Sequence, residues 1–142
     1  MKEKSRGLSL FLTLVCIFFG GCIGAGIRAG FGFLSRGWSW PWVIFGINLT
    51  GAFLLGIIDS FVAAKSSRHP GLKKFSSFVG TGVMGAFTTY GTFVDGVRGQ
   101  FLSSLQSAAV GYALSSLIAG VFLAGFGLWL GAKMFKGKEK AK

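Results

Sequence analysis

Long apolar stretches constrain this chain of 142 residues more than any other feature. Four of them run over about 8–34, 41–64, 75–94 and 101–134, and each is long enough to cross a bilayer, which takes about 20 apolar residues per helix. Only 13% of the residues are charged, whereas about 25% is usual for a soluble domain. We therefore expect one all-α membrane domain, 1–142, with four transmembrane helices.

The basic residues are distributed unequally between the two ends of this predicted bundle. The net charge is +11, from 15 Lys and Arg against 4 Asp and Glu. Twelve basic residues fall at the end that holds both termini and the basic tail 135–142: Lys2, Lys4, Arg6, Lys65, Arg68, Lys73, Lys74, Lys133, Lys136, Lys138, Lys140 and Lys142. Arg36 and Arg98 fall at the other end, and Arg28 lies inside the first apolar stretch. This asymmetry predicts a multi-pass protein of the cell membrane with both termini in the cytoplasm, and no nucleic-acid binding.

The first apolar stretch also has some features of a lipoprotein signal, because a basic start and an apolar run lead to Gly20-Gly21-Cys22. A signal peptide would precede a mature soluble domain, and more apolar sequence follows here. Cys16 and Cys22 are expected to behave as small hydrophobic residues rather than as a disulfide framework.

The third apolar stretch is unusual, because glycine and threonine replace aliphatic residues through its middle. These residue types are poor helix formers, so the sequence predicts a break in the third helix at 85–93. At membrane depth, a break persists only where protein or a polar cavity satisfies its freed carbonyls. Such carbonyls are ligands for a hard cation. Donors for an anion are also present, namely the hydroxyls of Thr88, Thr89 and Thr92 and the positive ring edges of Tyr90 and Phe93. The alternative is a continuous Gly/Thr helix in tight packing.

Further polar residues lie inside the other stretches, where they are energetically costly and often functional. Arg28 either snorkels to the interface or adds positive potential at an anion vestibule. Asn48 either holds helices together or donates hydrogen bonds to a passing ion. Tyr112 and Ser116 are four residues apart and share a helix face, and Ser115 lies between them, although such hydroxyls often bond only to their own backbone.

Two further patterns concern packing and connections. Small residues spaced four apart predict close helix packing, and the pairs are Gly20/Gly24, Ala52/Gly56 and Ser116/Gly120. Asp95, Arg98 and Gln100 are expected in a short loop before the fourth helix. Trp38, Trp40 and Trp42 are expected at a membrane interface, and His69 is expected in a solvated loop. The chain has no His pair, paired carboxylates in an apolar segment, phosphate loop or Cys cluster, so we do not expect an enzyme.

Three motifs together make the sequence similar to the Fluc/CrcB fluoride channels. The family's first helix carries G-G-x-x-G-A-x-x-R, its second an asparagine followed by x-x-G, and its third G-x-x-T-T-F-S-T-F. The corresponding segments here are Gly20-Gly21-Cys22-Ile23-Gly24-Ala25-Gly26-Ile27-Arg28, Asn48-Leu49-Thr50-Gly51, and Gly85-Ala86-Phe87-Thr88-Thr89-Tyr90-Gly91-Thr92-Phe93. The matches occur in the right order and at matching helix positions.

The resemblance implies an antiparallel dimer with two fluoride pathways and a structural Na⁺ at its centre, giving passive export that reduces fluoride toxicity. Na⁺ would be bound by backbone carbonyls of Gly85 and Thr88 from both subunits. The residues expected along the fluoride pathway are Asn48, Tyr90, Thr92, Phe93, Tyr112 and Ser116, with Arg28 at the vestibule. Membrane lipid, fluoride and a second Fluc/CrcB subunit are the implied partners.

The chain also departs from the family pattern. Tyr90 replaces a phenylalanine, Gly91 replaces a serine, and Gly120 replaces a hydroxyl found in some members. Asp95 stands one position early for the family's acidic residue, and Val43-Ile44 replaces the usual Gly-Thr. A homodimer with antiparallel subunits needs nearly balanced basic residues, and twelve against two is not balanced. We therefore predict one half of a heterodimer, paired with a homologue inserted in the opposite orientation.

Two alternatives remain at the level of the sequence. A small multidrug-resistance-type proton-coupled transporter also has four helices, but it needs a membrane-embedded carboxylate. Asp59, the one acidic residue in the second stretch, lies near its end. A non-transporting scaffold is the second alternative, and it predicts that changes at Asn48 or Phe93 affect assembly alone.

Overall fold

The computed structural model describes residues 2–34, 41–66 and 71–136. We number the helices of this part α1 to α5: Lys2–Leu34, Trp42–Lys65, 72–87, Tyr90–Leu102 and Gln106–Lys136. The described residues contain no strand, which confirms the all-α prediction. Trp38, Trp40, His69 and the tail lysines beyond Lys136 lie outside the described residues.

Three helices are long and apolar enough to cross a membrane, and the crossing segments are Gly7–Phe33, Trp42–Lys65 and Gln106–Phe135. The remaining crossing is divided between α3 and α4, which a short extended segment separates. The prediction of four membrane helices with a broken third is therefore confirmed. Large apolar side chains point outward along these helices, as Val121 (74% exposed) and Phe122 (71%) illustrate, which suits a surface covered by lipid or by another subunit.

The helix α3 changes its winding along its length. It begins as a short α-helical turn at Leu72–Ser76, continues as a π-helix at Ser77–Met84, and ends with an α-helical turn at Gly85–Phe87. π-Helical turns are usually single and are frequent at functional sites, so a segment of 8 residues is long for this conformation. The winding of α3 is therefore irregular along the residues that precede the break.

The helices α1 and α3 cross with their backbones almost in contact. A Cβ atom added to Gly20 would lie 3.1 Å from the Cα of Gly82, and one added to Gly82 would lie 2.9 Å from the Ile17 carbonyl oxygen. A Cβ on Gly24, one turn further along, would overlap the carbonyl of Val83. The prediction that Gly20 and Gly24 form a close-packing face is therefore confirmed.

The second close crossing joins α2 and α5. A Cβ added to Gly56 would lie 2.5 Å from the Ala124 carbonyl oxygen, and one added to Gly131 would lie 2.6 Å from Ser60 Cβ. The Ser60 hydroxyl donates a 2.7 Å hydrogen bond to the Leu128 carbonyl, which ties the two helices together. The predicted role of Gly56 is confirmed.

The predicted pair Ser116/Gly120 does not form such a crossing within the described residues. A Cβ added to Gly120 would meet no described atom within 4 Å. The close approach on α5 lies further along, where a Cβ on Gly127 would overlap the carbonyl of Phe53. Spacing alone identifies a helix that is able to pack closely, but not which of its turns meets a neighbour.

The predicted loop at Asp95, Arg98 and Gln100 is wrong. These residues belong to α4, which continues to Leu102, and the connection occupies 103–105, where Ser104 has φ 59°. The fourth long helix correspondingly begins at Gln106 and not at Phe101. Asp95 and Arg98 form an exposed i,i+3 ion pair at 3.8 Å, so their charges mark an exposed face of a helix.

Candidate functional site

The third membrane crossing breaks at two consecutive threonines. Thr88 (φ −73°, ψ 151°) and Thr89 (φ −149°, ψ 125°) are both extended. The backbone amide and the hydroxyl of Thr88 both donate to the Met84 carbonyl, at 2.9 and 2.8 Å, and end α3. Thr89 caps α4, because its hydroxyl oxygen accepts the Thr92 amide at 3.3 Å. The predicted break within 85–93 is confirmed and lies between Phe87 and Tyr90.

Asn48 on α2 spans this break with its side-chain amide. Its Oδ1 accepts the Thr89 backbone amide at 3.0 Å, and its Nδ2 donates to the Thr89 carbonyl at 3.4 Å. One residue of the broken segment is thus bonded at both its backbone groups by a single side chain. Asn48 therefore holds helices together, and its amide nitrogen carries a second hydrogen that is not needed for this bond.

At the break, the amides of Thr89 and Thr92 donate to side chains. In a continuous helix they would donate to the carbonyls of Gly85 and Thr88. The amide of residue i+4 normally donates to the carbonyl of residue i. For Gly85 that donor is Thr89, which donates to Asn48 instead; for Thr88 it is Thr92, which donates to the Thr89 hydroxyl. Both carbonyls that the family resemblance assigns to a cation have therefore lost their usual helical donors.

Arg28 approaches the break from α1. Its Nε donates a 3.2 Å hydrogen bond to the Ala86 carbonyl in the last turn of α3. The side chain is partly buried, and this bond places its Nε beside the end of α3. Both interpretations of Arg28, snorkelling and a role at an anion vestibule, stay predictions.

A cavity of about 260 Å³ opens beside the break, between α2, α4 and α5. Its lining residues are Asn48, Thr88, Thr89, Tyr90, Phe93, Ser116 and Leu117. The fold thus brings together four of the predicted pathway residues, which lie up to 68 positions apart in the sequence (Asn48, Tyr90, Phe93 and Ser116). The predicted residues Thr92, Tyr112, Arg28 and Gly85 do not line this cavity.

Aromatic rings form one side of the site. The Tyr90 and Phe93 ring centroids are 6.1 Å apart, and the Phe93 and Tyr112 centroids are 5.3 Å apart. Tyr112 is fully buried and also contacts Phe45, whereas Tyr90 is 80% exposed on the surface of the single chain. The rings therefore extend from the interior of the chain to a surface that a second subunit or lipid would cover.

The predicted hydroxyl groups differ in their hydrogen bonding. Thr92 Oγ1 is buried and has no hydrogen-bond partner among the residues that the structure describes. The Ser116 hydroxyl lies next to that of Tyr112, one turn away on α5. Ser115 donates to the Tyr112 carbonyl at 3.2 Å, so its hydroxyl is satisfied by its own helix. Ser116 Oγ, like Thr92 Oγ1, is buried without a hydrogen-bond partner of suitable geometry among the described residues, and of these two residues only Ser116 lines the cavity.

Sequence reasoning did not identify the roles of Gly51 and Leu117. A Cβ on Gly51 would overlap the Thr88 side chain, so this glycine lets the break approach α2 closely. The sequence did contain a sign that Gly51 belongs to the site. It follows Asn48 by three residues, which places both residues on a similar face of α2. Leu117 had no signal, because an apolar residue in a membrane helix is expected whatever it lines.

Acidic and metal-binding side chains contribute little to this site. Within the described ranges there is no group of three or more His, Cys, Asp or Glu residues placed to bind a metal ion. Asp59 is exposed on α2 and lies eleven residues from Asn48. The oxygen atoms at the break come from backbone carbonyls and from the side chains of Asn48, Thr88 and Thr89.

These features define a polytopic α-helical membrane protein whose broken helix borders a small cavity with polar groups. The family described as CrcB-like protein, Camphor Resistance (CrcB), matches residues 15–128. This match covers more than half of the chain and all the motifs on which the resemblance rests. The chain belongs to the CrcB family.

The alignments with curated relatives include most of this chain and most of each relative. The protein is 36% identical over 120 residues to the fluoride-specific ion channel FluC 1 of Staphylococcus aureus (strain bovine RF122 / ET3-1), covering 84% of this chain and 97% of the relative. It is 35% identical over 121 residues to the fluoride-specific ion channel FluC of Mesorhizobium japonicum, covering 83% and 94%. These relatives are named as ion channels, and they support the channel interpretation over the multidrug-resistance-type transporter.

Proposed function

We propose that this chain is a subunit of a fluoride-specific ion channel that exports fluoride passively from the cytoplasm. The observation that carries the proposal is the cavity beside the broken helix, where Asn48, Ser116 and Phe93 converge in a chain of the CrcB family. The names of the relatives supply the identity of the ion. Because such transport makes and breaks no covalent bond, the protein needs no catalytic residues and is not an enzyme.

The chemistry of the cavity is compatible with a small anion. Fluoride is strongly hydrated, so a pore must replace its water with several donors at close range. The second amide hydrogen of Asn48 and the Ser116 hydroxyl are neutral donors at the cavity, and the Thr92 hydroxyl is a further neutral donor on α4 outside its lining. Neutral donors bind an anion without holding it permanently. The ring edges of Tyr90 and Phe93 add weaker positive potential. Fluoride that enters the cell as the neutral acid and dissociates there would leave through this route down its electrochemical gradient.

A structural Na⁺ at the dimer centre forms part of the proposal. Gly85 and Thr88 fit a carbonyl site for a hard cation, because their usual helical donors are redirected to Asn48 and to the Thr89 hydroxyl. Gly85 is also exposed on the surface of the single chain, where a second subunit could contribute its own carbonyls. A bound cation would lower the energetic cost of an anion in the low-dielectric interior.

The second subunit is proposed to be a homologue in the opposite orientation. Tyr90 is 80% exposed and Leu117 is 61% exposed although both line the cavity, so one chain alone encloses the site incompletely. The strong asymmetry of the basic residues favours one orientation for this chain, with both termini in the cytoplasm. An antiparallel partner must then be a different chain with the opposite charge bias.

Fluoride efflux from liposomes tests the function and the partner separately. The chain is reconstituted alone and together with a homologue from the same organism, and fluoride and chloride release are measured with a selective electrode. We expect fluoride release, and no chloride release, when both chains are present. Absence of fluoride release in both preparations would contradict the channel proposal, and full release by this chain alone would contradict the heterodimer.

The sodium proposal is tested by replacing Na⁺ with N-methyl-D-glucamine during purification and assay of the active preparation. We expect slower fluoride efflux and a lower unfolding temperature in detergent, both of which return when NaCl is added back. Addition of choline chloride at the same ionic strength is the control. If Na⁺ removal changes neither quantity, the break holds no Na⁺ that matters for the channel.

A further inference from the structure

Gln100, near the end of α4, is a buried polar residue that the site described above does not include. It is 4% exposed, and neither its Oε1 nor its Nε2 has a hydrogen-bond partner among the residues that the structure describes. An unsatisfied buried polar group costs about 1–3 kcal/mol, and an amide carries two such groups. A glutamine in this position therefore needs a hydrogen-bonding ligand that the described part of the chain does not provide.

Gln100 lies on the same face of α4 as Thr92, whose hydroxyl is also buried without a described partner. Thr92, Gly96 and Gln100 are spaced four apart, so they follow one another along one side of the helix. Both polar residues of this row, Thr92 and Gln100, carry buried side-chain atoms without described partners. With a rise of 1.5 Å per residue, the row extends about 12 Å from Thr92 to Gln100 near the end of α4.

Gly96, which lies between Thr92 and Gln100 in this row, packs closely against two neighbouring side chains. A Cβ added to Gly96 would lie 3.3 Å from Pro41 Cγ and 3.4 Å from Tyr112 Cε1. Gly96 therefore lies between the start of α2 and the aromatic ring that also packs on Phe93. Gln100 is one turn beyond this point, at the end of the bundle that holds Pro41 and the connection 103–105.

We propose that Gln100 is an anion-binding residue at the outer end of the fluoride pathway, on the same face of α4 as Thr92. This inference rests on the proposed channel function. The Gln100 amide would donate to the anion through Nε2 and accept from the anion's remaining water through Oε1. A neutral amide suits an exit position, because it replaces part of the hydration shell without the strong attraction of a charged residue.

The test compares Gln100→Leu and Gln100→Glu with the same changes at Gln106, an exposed residue at the start of α5 at the same end of the bundle. In the active preparation, we expect both Gln100 variants to reduce fluoride efflux about tenfold or more, which corresponds to the loss of one hydrogen bond to a charged group. Both Gln106 variants should transport like the unmodified protein.

Two measurements in detergent separate anion binding from a structural role. The unfolding temperature of Gln100→Leu should equal or exceed that of the unmodified protein, because the buried amide has no described protein partner. Replacing NaCl with NaF should raise the unfolding temperature of the unmodified protein and of Gln106→Leu, and should raise that of Gln100→Leu by clearly less.

The outcomes distinguish this inference from the channel proposal. If the unmodified protein neither transports fluoride nor responds to NaF, the channel proposal fails and this inference fails with it. If the unmodified protein responds and Gln100→Leu responds equally, only the inference about Gln100 is overturned. A fall of several degrees in the unfolding temperature of Gln100→Leu in NaCl would likewise overturn it, because Gln100 would then be bonded within the protein.

Discussion

At the scale of single residues, Asn48 supplies hydrogen bonds that the backbone itself supplies elsewhere in the helices. Its amide satisfies both backbone groups of Thr89, at the point where the helical hydrogen bonds stop. An aspartate of similar shape would keep the acceptor but lose the donor, and a leucine would lose both. The two substitutions therefore separate the structural contribution of Asn48 from its contribution to the anion cavity.

We predict that Asn48→Leu lowers the free energy of unfolding by about 1–3 kcal/mol, because the Thr89 amide is left unsatisfied. Asn48→Asp keeps the hydrogen bond from the Thr89 amide, so it should lower the free energy of unfolding less than Asn48→Leu does. Its negative charge faces the cavity, however, and should reduce fluoride efflux more than about tenfold. Thermal unfolding in detergent and liposome efflux measure the two effects. Ser60→Ala is the control, since it removes a hydrogen bond between α2 and α5 far from the cavity. Unchanged efflux in Asn48→Asp would contradict the role of this residue.

A second prediction concerns Thr92, whose hydroxyl is buried without a described partner. Valine has nearly the same shape and no polar group, so Thr92→Val should leave the free energy of unfolding unchanged or raise it by up to about 1 kcal/mol. Fluoride efflux should fall, because one donor of the cavity region is lost. Thr13→Val is the matched control, since the Thr13 hydroxyl bonds the Ser9 carbonyl on an exposed face of α1. A destabilised Thr92→Val with normal efflux would show that the hydroxyl is structural.

At the scale of helices, the two close crossings position the break. The α1–α3 crossing places Arg28 beside the Ala86 carbonyl, and the α2–α5 crossing places Asn48 and Ser116 around one cavity. Both crossings depend on glycines whose added Cβ atoms would meet backbone rather than flexible side chains. Membrane helices have little hydrophobic drive to associate, so such close backbone contact is a main source of their packing energy.

The prediction at this scale compares two glycines on α1. Gly24→Ala would place a methyl group against the Val83 carbonyl and 3.0 Å from the Phe87 amide nitrogen, so α1 and α3 must separate. We expect a loss of about 1–3 kcal/mol in the free energy of unfolding, together with reduced fluoride efflux as the Arg28 bond lengthens. Gly26→Ala meets no atom within 4 Å and should be neutral or slightly stabilising. Equal effects of the two changes on the unfolding temperature would contradict the crossing.

At the scale of the whole molecule, the charged residues are distributed unequally between the two ends of the bundle. One end of the bundle carries few charges, and two of them, Asp95 and Arg98, form an exposed ion pair, so this end is nearly neutral. Lys65, Lys74 and Lys133 lie at the opposite end. Two of these lysines also lie over aromatic rings, Lys65 at 5.0 Å from the Phe61 centroid and Lys133 at 5.3 Å from that of Trp129. Lysines on aromatic residues at a helix end are typical of a membrane interface.

We therefore predict a single orientation in cells. Fusion of a cytoplasm-active reporter to the C-terminus should give a strong signal, and fusion of a periplasm- or exterior-active reporter should give none. Replacing Lys65, Lys74 and Lys133 with Gln should produce a mixed population, because the bias between the two ends becomes smaller. The same replacements at non-basic exposed positions serve as the control. A mixed population in the unmodified chain would favour a homodimer with both orientations.

Much of the fold was predictable because its signals are local. Membrane crossing depends on the summed hydrophobicity of consecutive residues, and the break depends on the poor helix propensity of Gly and Thr between 85 and 93. The end of α4 was not predictable in the same way. Asp95, Arg98 and Gln100 look like a loop in the sequence, yet two of them form an exposed ion pair on a helix and the third is buried.

The all-α membrane fold with its broken third helix, the biased charge distribution and the motifs of the CrcB family can all be recognised from the order of the residues. The groups that meet at the break cannot, because they come from different helices. Asn48 and Thr89 are 41 residues apart, and Arg28 and Ala86 are 58 apart. Contacts over such separations depend on where glycines allow helices to touch, and the composition of each helix does not specify that. Burial of Gln100 was decided in the same way, because the neighbours of a side chain come from other helices.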